Sequence, residues 1–373
     1  MSDSLYYFKP GVMRDMDFTG FPGLATFSNY PKLYAAGSVP FDRTGTIKTP
    51  FKSGHRFLIP SLRPMKKTFE EICNERANEL LARADRFDVR IYTLWSGGID
   101  STLALVSLLK NANAAQRKRI TVLMSLESIR ENGLFYENFI KGKLRTETSS
   151  SLPLVLGTRN ILVSGEHNDQ LFGSDLMAPL IVTHGPGIIR QKYDPTILID
   201  HYAKSFEGDK KLAEFYVRLF EKLPPVCPIP IETMFEFTWW INFSLKWATV
   251  YYRTLTFTDP RNVSGITEAY SRDFYAPFYN TDDFQLWSLN NPDKRIKDTW
   301  RTYKWPCKEI IYDFAKDPVY RDMKKKVGSL SSFIANKRAY KAIDTDFVLY
   351  PEFDVDRFFT PDNDFAAYER GAA

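Results

Sequence analysis

Two apolar runs, separated by a short polar turn, form the clearest hydrophobic pattern in the chain. The first run, at positions 89–95, is β-branched and aromatic with one charge, as expected of a central parallel strand. The second run, at positions 103–110, is apolar on most faces and predicts a buried helix. The turn between them contains two adjacent glycines, which let backbone N–H groups approach a ligand closely. The pattern therefore predicts a strand, a glycine turn and a helix N-terminus, where an anion such as phosphate is favoured.

Other periodic segments flank this unit. Residues 68–85 form an apolar stripe at helical spacing, and Thr68 with Glu71 predicts a capping box at its start. Short apolar runs at positions 120–126 and 160–163 predict two more strands. An order of strand, helix, strand, connector and strand is typical of a parallel sheet with right-handed crossovers. We therefore expect an α/β fold whose ligand crevice lies at the carboxyl ends of the strands.

The second half of the chain predicts helices. Positions 202–223 have helical spacing, and positions 231–255 form a long aromatic stretch with three tryptophans, which we interpret as core. Residues 1–66 are rich in Gly, Pro and aromatic residues, which predicts loops and short strands packed on another surface. Residues 344–373 form an acidic, aromatic tail. We therefore divide the chain into a loop-rich N-terminal segment, a central domain at 67–343 and a C-terminal tail.

Composition favours a globular, intracellular protein. Of the 373 residues, 44% are hydrophobic and 15% aromatic, which is enough for a sizeable core. The three cysteines and four histidines lack disulfide or metal-ligand spacing, so we expect a reducing, cytoplasmic environment. No signal core and no run of eighteen apolar residues occurs, so we expect no membrane partner. A net charge of +5 with dispersed basic residues neither indicates nor excludes a nucleic-acid partner.

The polar turn carries the strongest candidate chemistry. Backbone N–H groups and hydroxyls at a helix N-terminus suit phosphate, and the residues predicted to form this cradle are Ser96, Gly97, Gly98, Ser101 and Thr102. Asp100 lies in the same turn, and its carboxylate would repel phosphate unless a divalent cation lay between them. Mg²⁺ is commonly held by one or two carboxylates plus phosphate oxygens, so Asp100 is a candidate metal ligand. The alternative is that Asp100 only caps the helix and that the glycines serve only the turn.

A second acidic element, at positions 164–173, follows the third predicted strand. Its carboxylates should lie near Asp100, because the carboxyl ends of parallel strands share one edge of a sheet. Asp169 would then complete a magnesium site with Asp100, and Glu166 would orient a cationic amine or accept its proton. The alternative is a helix start rich in first-turn acids, which the helix dipole stabilises.

These two motifs resemble those of known enzymes. The sequence SGGIDST resembles the SGGxDS signature of the PP-loop ATP pyrophosphatases (adenine nucleotide alpha hydrolase-like proteins), which cleave ATP to AMP and pyrophosphate. The sequence SGEHNDQLFGSD is similar to the SGEGxDELFGGY element of the synthetase domain of asparagine synthetases, which β-lactam synthetases and lasso-peptide cyclases share. Gln170 replaces the usual acid, and His167 with Asn168 replaces small residues. The motifs start 68 positions apart, a shorter spacing than asparagine synthetases have, so the substrate is not carried over.

Weaker similarities follow in the second half. Residues 274–280 resemble the family's PFLD turn, with an amide in place of the acid. Residues 303–309 resemble its K-x-x-L-R element, which would place Lys304 at the essential lysine and Lys308 at the arginine. Residues 324–328 loosely resemble a later R-x-K-x-G-F element.

The resemblance implies an α/β PP-loop sheet flanked by helices, with a helical C-terminal half, and a ligase that uses ATP and Mg²⁺. In the implied reaction a substrate carboxylate attacks the α-phosphate, pyrophosphate leaves, and ammonia or an amine displaces AMP to form an amide. Gly165 and Lys308 are implied to contact the nucleotide, and Glu166 to lie near the amine. Lys304 is implied to neutralise charge that develops on the α-phosphate.

Several alternatives stay open. Another PP-loop activity would adenylate a nucleobase or nucleotide for modification, and a non-catalytic module would only bind nucleotide. Related synthetases often carry a glutaminase domain whose nucleophile is a cysteine after the initiator Met. Residue 2 is Ser2 and the preceding segment is short, so we expect any glutamine-derived ammonia to come from a separate subunit. A further hypothesis is that the N-terminal segment or the acidic tail forms a lid that shields the acyl-adenylate from water.

Overall fold

A parallel β-sheet forms the centre of the computed structural model, which describes residues 42–47, 57–255, 257–297 and 299–323. Its five strands are β1 Ile91–Leu94, β2 Ile120–Met124, β3 Arg145–Thr148, β4 Ile161–Ser164 and β5 Tyr275–Pro277. They lie in the order β3-β2-β1-β4-β5, and every neighbouring pair is parallel. All five carboxyl ends therefore meet at one edge of the sheet.

Helices connect the strands and dominate the second half of the chain. Up to residue 184 they are α1 Phe69–Phe87, α2 Ile99–Asn111, α3 Ala114–Arg117, α4 Leu126–Glu131, α5 Gly133–Phe135, α6 Leu152–Val155, α7 Asn168–Phe172 and α8 Met177–His184. Beyond it they are α9 Pro195–Ser205, α10 Lys210–Phe220, α11 Met234–Leu245, α12 Trp247–Leu255, α13 Glu268–Asp273, α14 Asp282–Asn290, α15 Trp305–Ala315 and α16 Pro318–Met323. Short 3₁₀ helices lie at Ser149–Ser151, Pro186–Ile189, Pro224–Val226, Pro260–Gly265, Pro292–Lys294 and Trp300–Thr302, and a π-helical turn at Tyr136–Ile140.

The strand order reverses direction at the centre of the sheet. From β1 the chain moves outward to β2 and β3, and it then returns to place β4 on the other side of β1. Ligands bind open α/β sheets at the carboxyl ends of the two strands where this reversal occurs. The glycine turn at positions 96–98 follows β1, and the acidic element at 164–173 follows β4, so both motifs flank the reversal point.

Apolar residues cover both faces of the sheet. In β4, Ile161 and Val163 pack into a cluster with α1 and α2, whereas Leu162 packs into a second cluster with residues of α6 and α12. All four residues of β4 are buried, as a near-continuous apolar strand between two helical layers requires. The predicted α/β fold with a parallel sheet flanked by helices is therefore confirmed.

The tryptophan-rich stretch is core, as the sequence predicts. Trp239, Trp240 and Trp247 are fully buried. Each indole N–H donates a hydrogen bond. Trp239 donates to the carbonyl of Leu171 at 3.2 Å, Trp240 to the carbonyl of Leu223 at 2.8 Å, and Trp247 to the side-chain oxygen of Asn280 at 2.8 Å. Because buried indole groups need such partners, the bonds of Trp239 and Trp247 fix how the helical layer packs against the segments that follow β4 and β5, and the bond of Trp240 ties it to the turn that follows α10.

Several boundaries differ from the predicted ones. The stretch predicted as one helix at 231–255 is two helices, α11 and α12, which are divided at Lys246. The stretch at 202–223 is also divided, because Glu207 and Gly208 adopt positive φ values of 56° and 94° between α9 and α10. Strands β3 and β5 were not predicted, since β3 is polar and β5 is only three residues long and ends at Pro277.

Part of the loop-rich N-terminal segment packs on the helical layer. Arg43 donates hydrogen bonds to the carbonyl oxygens of Phe57 at 2.7 Å and Phe243 at 3.2 Å, and its guanidinium lies 4.3 Å from the ring centre of Trp247. The predicted C-terminal tail and the element at 324–328 lie outside the described residues. Within the described ranges, no helix has the length and apolar character needed to cross a membrane.

The capping box predicted at the start of α1 is present in the structure, and its contribution to stability can be tested. The Thr68 hydroxyl accepts the N–H of Glu71 at 3.2 Å, and the Glu71 carboxylate accepts the N–H of Thr68 at 2.7 Å. We expect Thr68→Ala to lower the free energy of unfolding by about 1 kcal/mol, because it removes one half of this box. Urea unfolding measures the change; Thr68→Ser, which keeps the hydroxyl, should be close to wild type. Equal losses in the two variants would contradict the capping role.

Candidate active site

A cleft of about 760 Å³ opens at the carboxyl ends of β1 and β4. Its walls come from the glycine turn, from the acidic element after β4, from α12 and from the start of α15. Nine of the residues predicted from sequence line it, namely Ser96, Gly98, Asp100, Ser101, Gly165, Glu166, Asp169, Lys304 and Lys308. Segments separated by about 200 positions in sequence therefore meet in one site.

The glycine turn is shaped by close backbone contacts. Gly97 has a φ of +76°, and a Cβ atom there would lie 2.4 Å from the carbonyl oxygen of Ser128, so any side chain would collide with α4. The backbone N–H of Ser96 donates to the Ser101 hydroxyl at 3.0 Å, and the N–H of Gly98 approaches the Ser96 hydroxyl at 3.3 Å. These bonds hold the turn at the N-terminus of α2, where N–H groups favour an anion.

Thr102 lies away from the cleft. Its side chain is fully buried, its hydroxyl accepts the indole N–H of Trp95 at 3.0 Å, and the hydroxyl of Tyr320 lies 3.3 Å away. The Tyr320 hydroxyl also donates to the carbonyl of Gly97 at 2.8 Å. Thr102 and Gly97 thus support the turn from behind, and the structure does not place the Thr102 hydroxyl where it was predicted to contact phosphate.

Gly165 brings the two motifs into direct contact. A Cβ atom at this position would lie 2.7 Å from the backbone nitrogen of Ser101 and 2.9 Å from the carbonyl carbon of Asp100. Only glycine lets the loop after β4 lie this close to the first turn of α2. The position of Gly165 therefore sets the spacing between Asp100 and the acidic element.

Asp100 and Asp169 converge on one cation, the ammonium group of Lys304. The Nζ atom lies 2.7 and 2.8 Å from the two carboxylate oxygens of Asp100 and 2.5 Å from Oδ1 of Asp169. Asn168 donates to Asp100 Oδ1 at 2.6 Å, and the Tyr303 hydroxyl donates to Asp169 Oδ1 at 3.3 Å. The two carboxylates are thereby fixed toward a common point at the edge of the glycine turn.

The backbone of Lys304 is held in a rare conformation. Its φ and ψ are 58° and 33°, in the left-handed region, and it is the residue that caps the N-terminus of α15. Such a conformation costs a non-glycine residue on the order of 1 kcal/mol and persists where the surrounding structure enforces it, as it often does at functional sites. Here the Lys304 N–H donates to the Arg295 carbonyl at 3.2 Å, and the ammonium is tied to two carboxylates.

Burial and charge pairing both shift the pKa values of Lys304 and Asp100. Burial by itself lowers the pKa of Lys304, but the carboxylates of Asp100 and Asp169 outweigh it and raise the pKa above its ordinary value. Burial raises the pKa of the Asp100 carboxyl, Lys304 opposes that shift and the nearby Asp169 adds to it. The side chain of Lys304 is 5% exposed, whereas those of Asp100 and Asp169 are 26% and 41% exposed toward the cleft. Both carboxylates can therefore still meet a ligand.

The acidic pair, Asp100 and Asp169, fits a magnesium ion whose other ligands are phosphate oxygens and water. Mg²⁺ is usually bound through one or two carboxylates together with phosphate oxygens and water. Asp100 and Asp169 supply two such carboxylates beside the anion-favouring turn. No group of three or more His, Cys, Asp or Glu residues in the described ranges could hold a metal on its own, so a site built from protein ligands alone does not fit.

Glu166 is paired with a residue that the sequence analysis missed. Its carboxylate lies 2.8 Å from the Arg253 guanidinium on α12, and the two side chains are 23% and 30% exposed to the cleft. A charged residue in an otherwise aromatic helix was the signal that could have identified Arg253. Tyr303 and Asn168 were also missed as functional residues, although both lie within quoted motifs and both contact the acidic pair.

Lys308 and His167 are explained by local geometry. Lys308 lies one helical turn after Lys304 on α15, lines the cleft, and donates to the Arg301 carbonyl at 2.5 Å. His167 has a φ of 78°, a backbone conformation that residues other than glycine rarely adopt. Its ring is buried 3.0 Å from the Trp247 carbonyl oxygen, and burial lowers its pKa to about 3. A neutral His167 therefore serves packing and not proton transfer.

Comparison with known protein families and curated proteins provides no functional assignment. No family model matches the chain, and no curated protein sequence matches it. The function must therefore be argued from the chemistry of the cleft.

The close contact at Gly165 predicts that a larger residue at this position destabilises the protein. We expect Gly165→Ala to lower the free energy of unfolding by about 1–3 kcal/mol, because the added methyl group would overlap the backbone of Asp100 and Ser101. The matched control is Gly133→Ala, where no atom lies within 4 Å of the new Cβ. Chemical denaturation of both variants is the measurement. Equal stability of the Gly165 variant and wild type would show that the two motifs are not in contact.

Proposed function

We propose that the protein is an ATP-dependent, amide-forming ligase of the PP-loop type, with an asparagine synthetase-like synthetase domain. It would adenylate a substrate carboxylate with release of pyrophosphate, and an amine or ammonia would then displace AMP. The observation that carries this proposal is the convergence of Asp100, Asp169 and Lys304 beside the glycine turn. Such a cluster combines an anion cradle, two metal-type ligands and a buried cation in one cleft.

The glycine turn would hold the phosphate chain of ATP. Its N–H groups lie at the first turn of α2, and the hydroxyls of Ser96 and Ser101 line the same wall. Gly165 faces this turn so closely that main-chain atoms from two strand ends would surround the phosphates. Lys308 would add a further positive charge on the α15 side of the cleft. Asp100 and Asp169 would hold Mg²⁺, which when bound neutralises phosphate charge and positions the leaving group.

Lys304 would stabilise the charge that develops during adenylation. Its ammonium is buried, fixed by three hydrogen bonds, and kept cationic by two carboxylates. A fixed cation in a site of low dielectric constant stabilises developing charge without reorganisation at the moment of reaction. The strained backbone at Lys304 is consistent with a residue whose position is held for this role.

Glu166 would serve the amine. Its carboxylate lines the cleft, and the ion pair with Arg253 on α12 fixes its direction. A carboxylate held in this way can orient an amine and accept its proton as the amide bond forms. The step balances for the uncharged amine: the C–N bond forms as the acyl C–O bond to AMP breaks, one N–H proton passes to Glu166, and AMP leaves as the dianion.

Replacing Lys304 tests the adenylation step. We expect Lys304→Met to lower the rate of magnesium-dependent pyrophosphate release by about 10²–10³-fold, because a buried cation beside the α-phosphate is lost. Lys316→Met is the matched control, since Lys316 caps the other end of α15 with a φ of 55° and has an exposed side chain. Activity is read as pyrophosphate formation from ATP with each substrate mixture. A Lys304 variant as active as the control would remove Lys304 from the mechanism.

A substrate screen tests the reaction class. Carboxylate-dependent exchange of labelled pyrophosphate into ATP, measured across amino acids, small diacids and modified nucleotides, should detect one class of acyl substrate. We expect Asp100→Asn to abolish the exchange, because the metal and phosphate site loses a carboxylate. An absence of magnesium-dependent exchange with every mixture, alongside measurable ATP binding, would instead favour a nucleotide-binding module. A modified nucleobase as the product would favour the other PP-loop activity.

Replacing Glu166 separates the two half-reactions. We expect Glu166→Gln to reduce amide formation by about 10²-fold or more, because the group that accepts the amine proton is lost. Pyrophosphate exchange should stay within a few-fold of wild type, since it precedes the amine step. Parallel loss of both activities would show that Glu166 acts in nucleotide or acyl binding instead.

A further inference from the structure

A second concavity lies at the opposite edge of the sheet from the active site. It has a volume of about 640 Å³ and is formed where the chain enters β1, β2 and β4. Arg90 precedes β1, Lys118 and Arg119 precede β2, and Arg159 precedes β4. Because β1 is four residues long, the two edges are separated by more than about 10 Å. We call this concavity the amino-edge pocket.

The amino-edge pocket is strongly basic. Four cations line it against one carboxylate, that of Asp88. Asp88 is already engaged, since it lies 2.7 Å from the Arg119 guanidinium, and Asp85 lies 3.7 Å from the same group. In the described part of the chain, Arg90, Lys118 and Arg159 form no ion pair. Three positive charges without a carboxylate partner therefore line one concavity, an arrangement that attracts anions.

Backbone hydrogen bonds fix the loops that carry these cations. The Ile91 N–H donates to the Arg119 carbonyl at 3.0 Å, and the Ile161 N–H donates to the Arg90 carbonyl at 3.0 Å. The Arg90 N–H donates to the Asn160 side chain at 3.3 Å. The three strand entrances are thereby tied side by side, so the backbone positions that carry these cations are fixed relative to one another.

We propose that the amino-edge pocket binds an oligophosphate, supplied as an inorganic ion or as the phosphate chain of a nucleotide. Arginine presents a planar fork of donors that matches phosphate oxygens, and lysine adds a point charge. The aromatic side chains of Phe87 and Tyr92 form part of the wall, which offers a surface for a nucleotide base. A cavity of this volume is within the range typical of small-ligand sites.

The shape favours a compact anion over a polynucleotide. The cations come from three loops and meet around one concavity, whereas the phosphates of a polynucleotide are spread along a strand and are usually contacted by an extended basic face or groove. The pocket also differs from the active site in composition, because it offers no pair of carboxylates for a metal ion. Binding here is therefore expected to need no magnesium.

Calorimetric titration of pyrophosphate and of ATP into the full chain, in buffer freed of divalent cations by a chelating resin, tests the proposal. Removing the metal ion weakens binding at the active site, where Mg²⁺ would link the phosphate chain to Asp100 and Asp169, and variants of the amino-edge pocket assign the remaining binding to that pocket. We expect Arg90→Gln combined with Arg159→Gln to weaken binding about tenfold or more, because two charge-assisted contacts are lost. The matched control carries Arg63→Gln and Lys211→Gln, two exposed cations outside the pocket with the same change in charge. The melting temperatures of both double variants should equal or exceed that of wild type.

The outcomes separate the sources of the ligand. Equal affinity for pyrophosphate and ATP supports an inorganic oligophosphate, and tighter binding of ATP supports a nucleotide stacked on the aromatic wall. Wild-type affinity in the double variant, or no binding by the wild-type chain, would overturn the proposal. So would tighter binding of a single-stranded oligonucleotide than of either small anion. Because the titration involves no turnover, its result is independent of whether the ligase proposal holds.

Discussion

The ammonium of Lys304, held between Asp100 and Asp169, is the interaction on which the site depends. It joins the first turns of α2 and α7 and the start of α15, three segments that no local contact would bring together. Charges taken from water are stable only when they are paired, and removing one partner of a buried pair costs more than the pair contributes. The position of each of these three side chains therefore depends on the other two. The same arrangement leaves both carboxylates partly exposed, so the cluster stabilises the fold and still presents reactive groups to the cleft.

The sheet topology explains why this cluster forms at the central strands. Because the strand order reverses between β1 and β4, the loops that leave these two strands diverge to opposite sides and a crevice opens between them. Close approach then depends on glycine at two positions. Gly97 needs a positive φ beside α4, and Gly165 lies against the backbone of Asp100 and Ser101. The geometry of the cleft therefore depends on glycine at these two positions as well as on the charged residues.

The two edges of the sheet have opposite electrostatic character. At the carboxyl edge, the carboxylates of Asp100, Asp169 and Glu166 are balanced by cations, and it is here that we propose binding of a metal-bound phosphate chain and an amine. At the amino edge, three cations face a concavity without a partner in the described chain. A parallel sheet places all strand entrances at one edge and all exits at the other, so a single short strand can carry a different binding surface at each end. The overall charge of +5 does not reveal this division.

Local patterns in the amino-acid sequence were sufficient to identify several parts of this structure. The capping box of Thr68 and Glu71, the glycine turn between a strand and a helix, and the two acidic motifs were identified from spacing and residue type. Their placement at one edge of the sheet also followed, since parallel strands share that edge. Tertiary structure alone decided the rest. Arg253 reaches Glu166 across 87 positions, Thr102 points into the core toward Trp95 and Tyr320, and the long aromatic stretch is divided at Lys246. The physical reason is that periodicity and capping act over a few residues, whereas the direction of a side chain is set by neighbours that are distant in sequence.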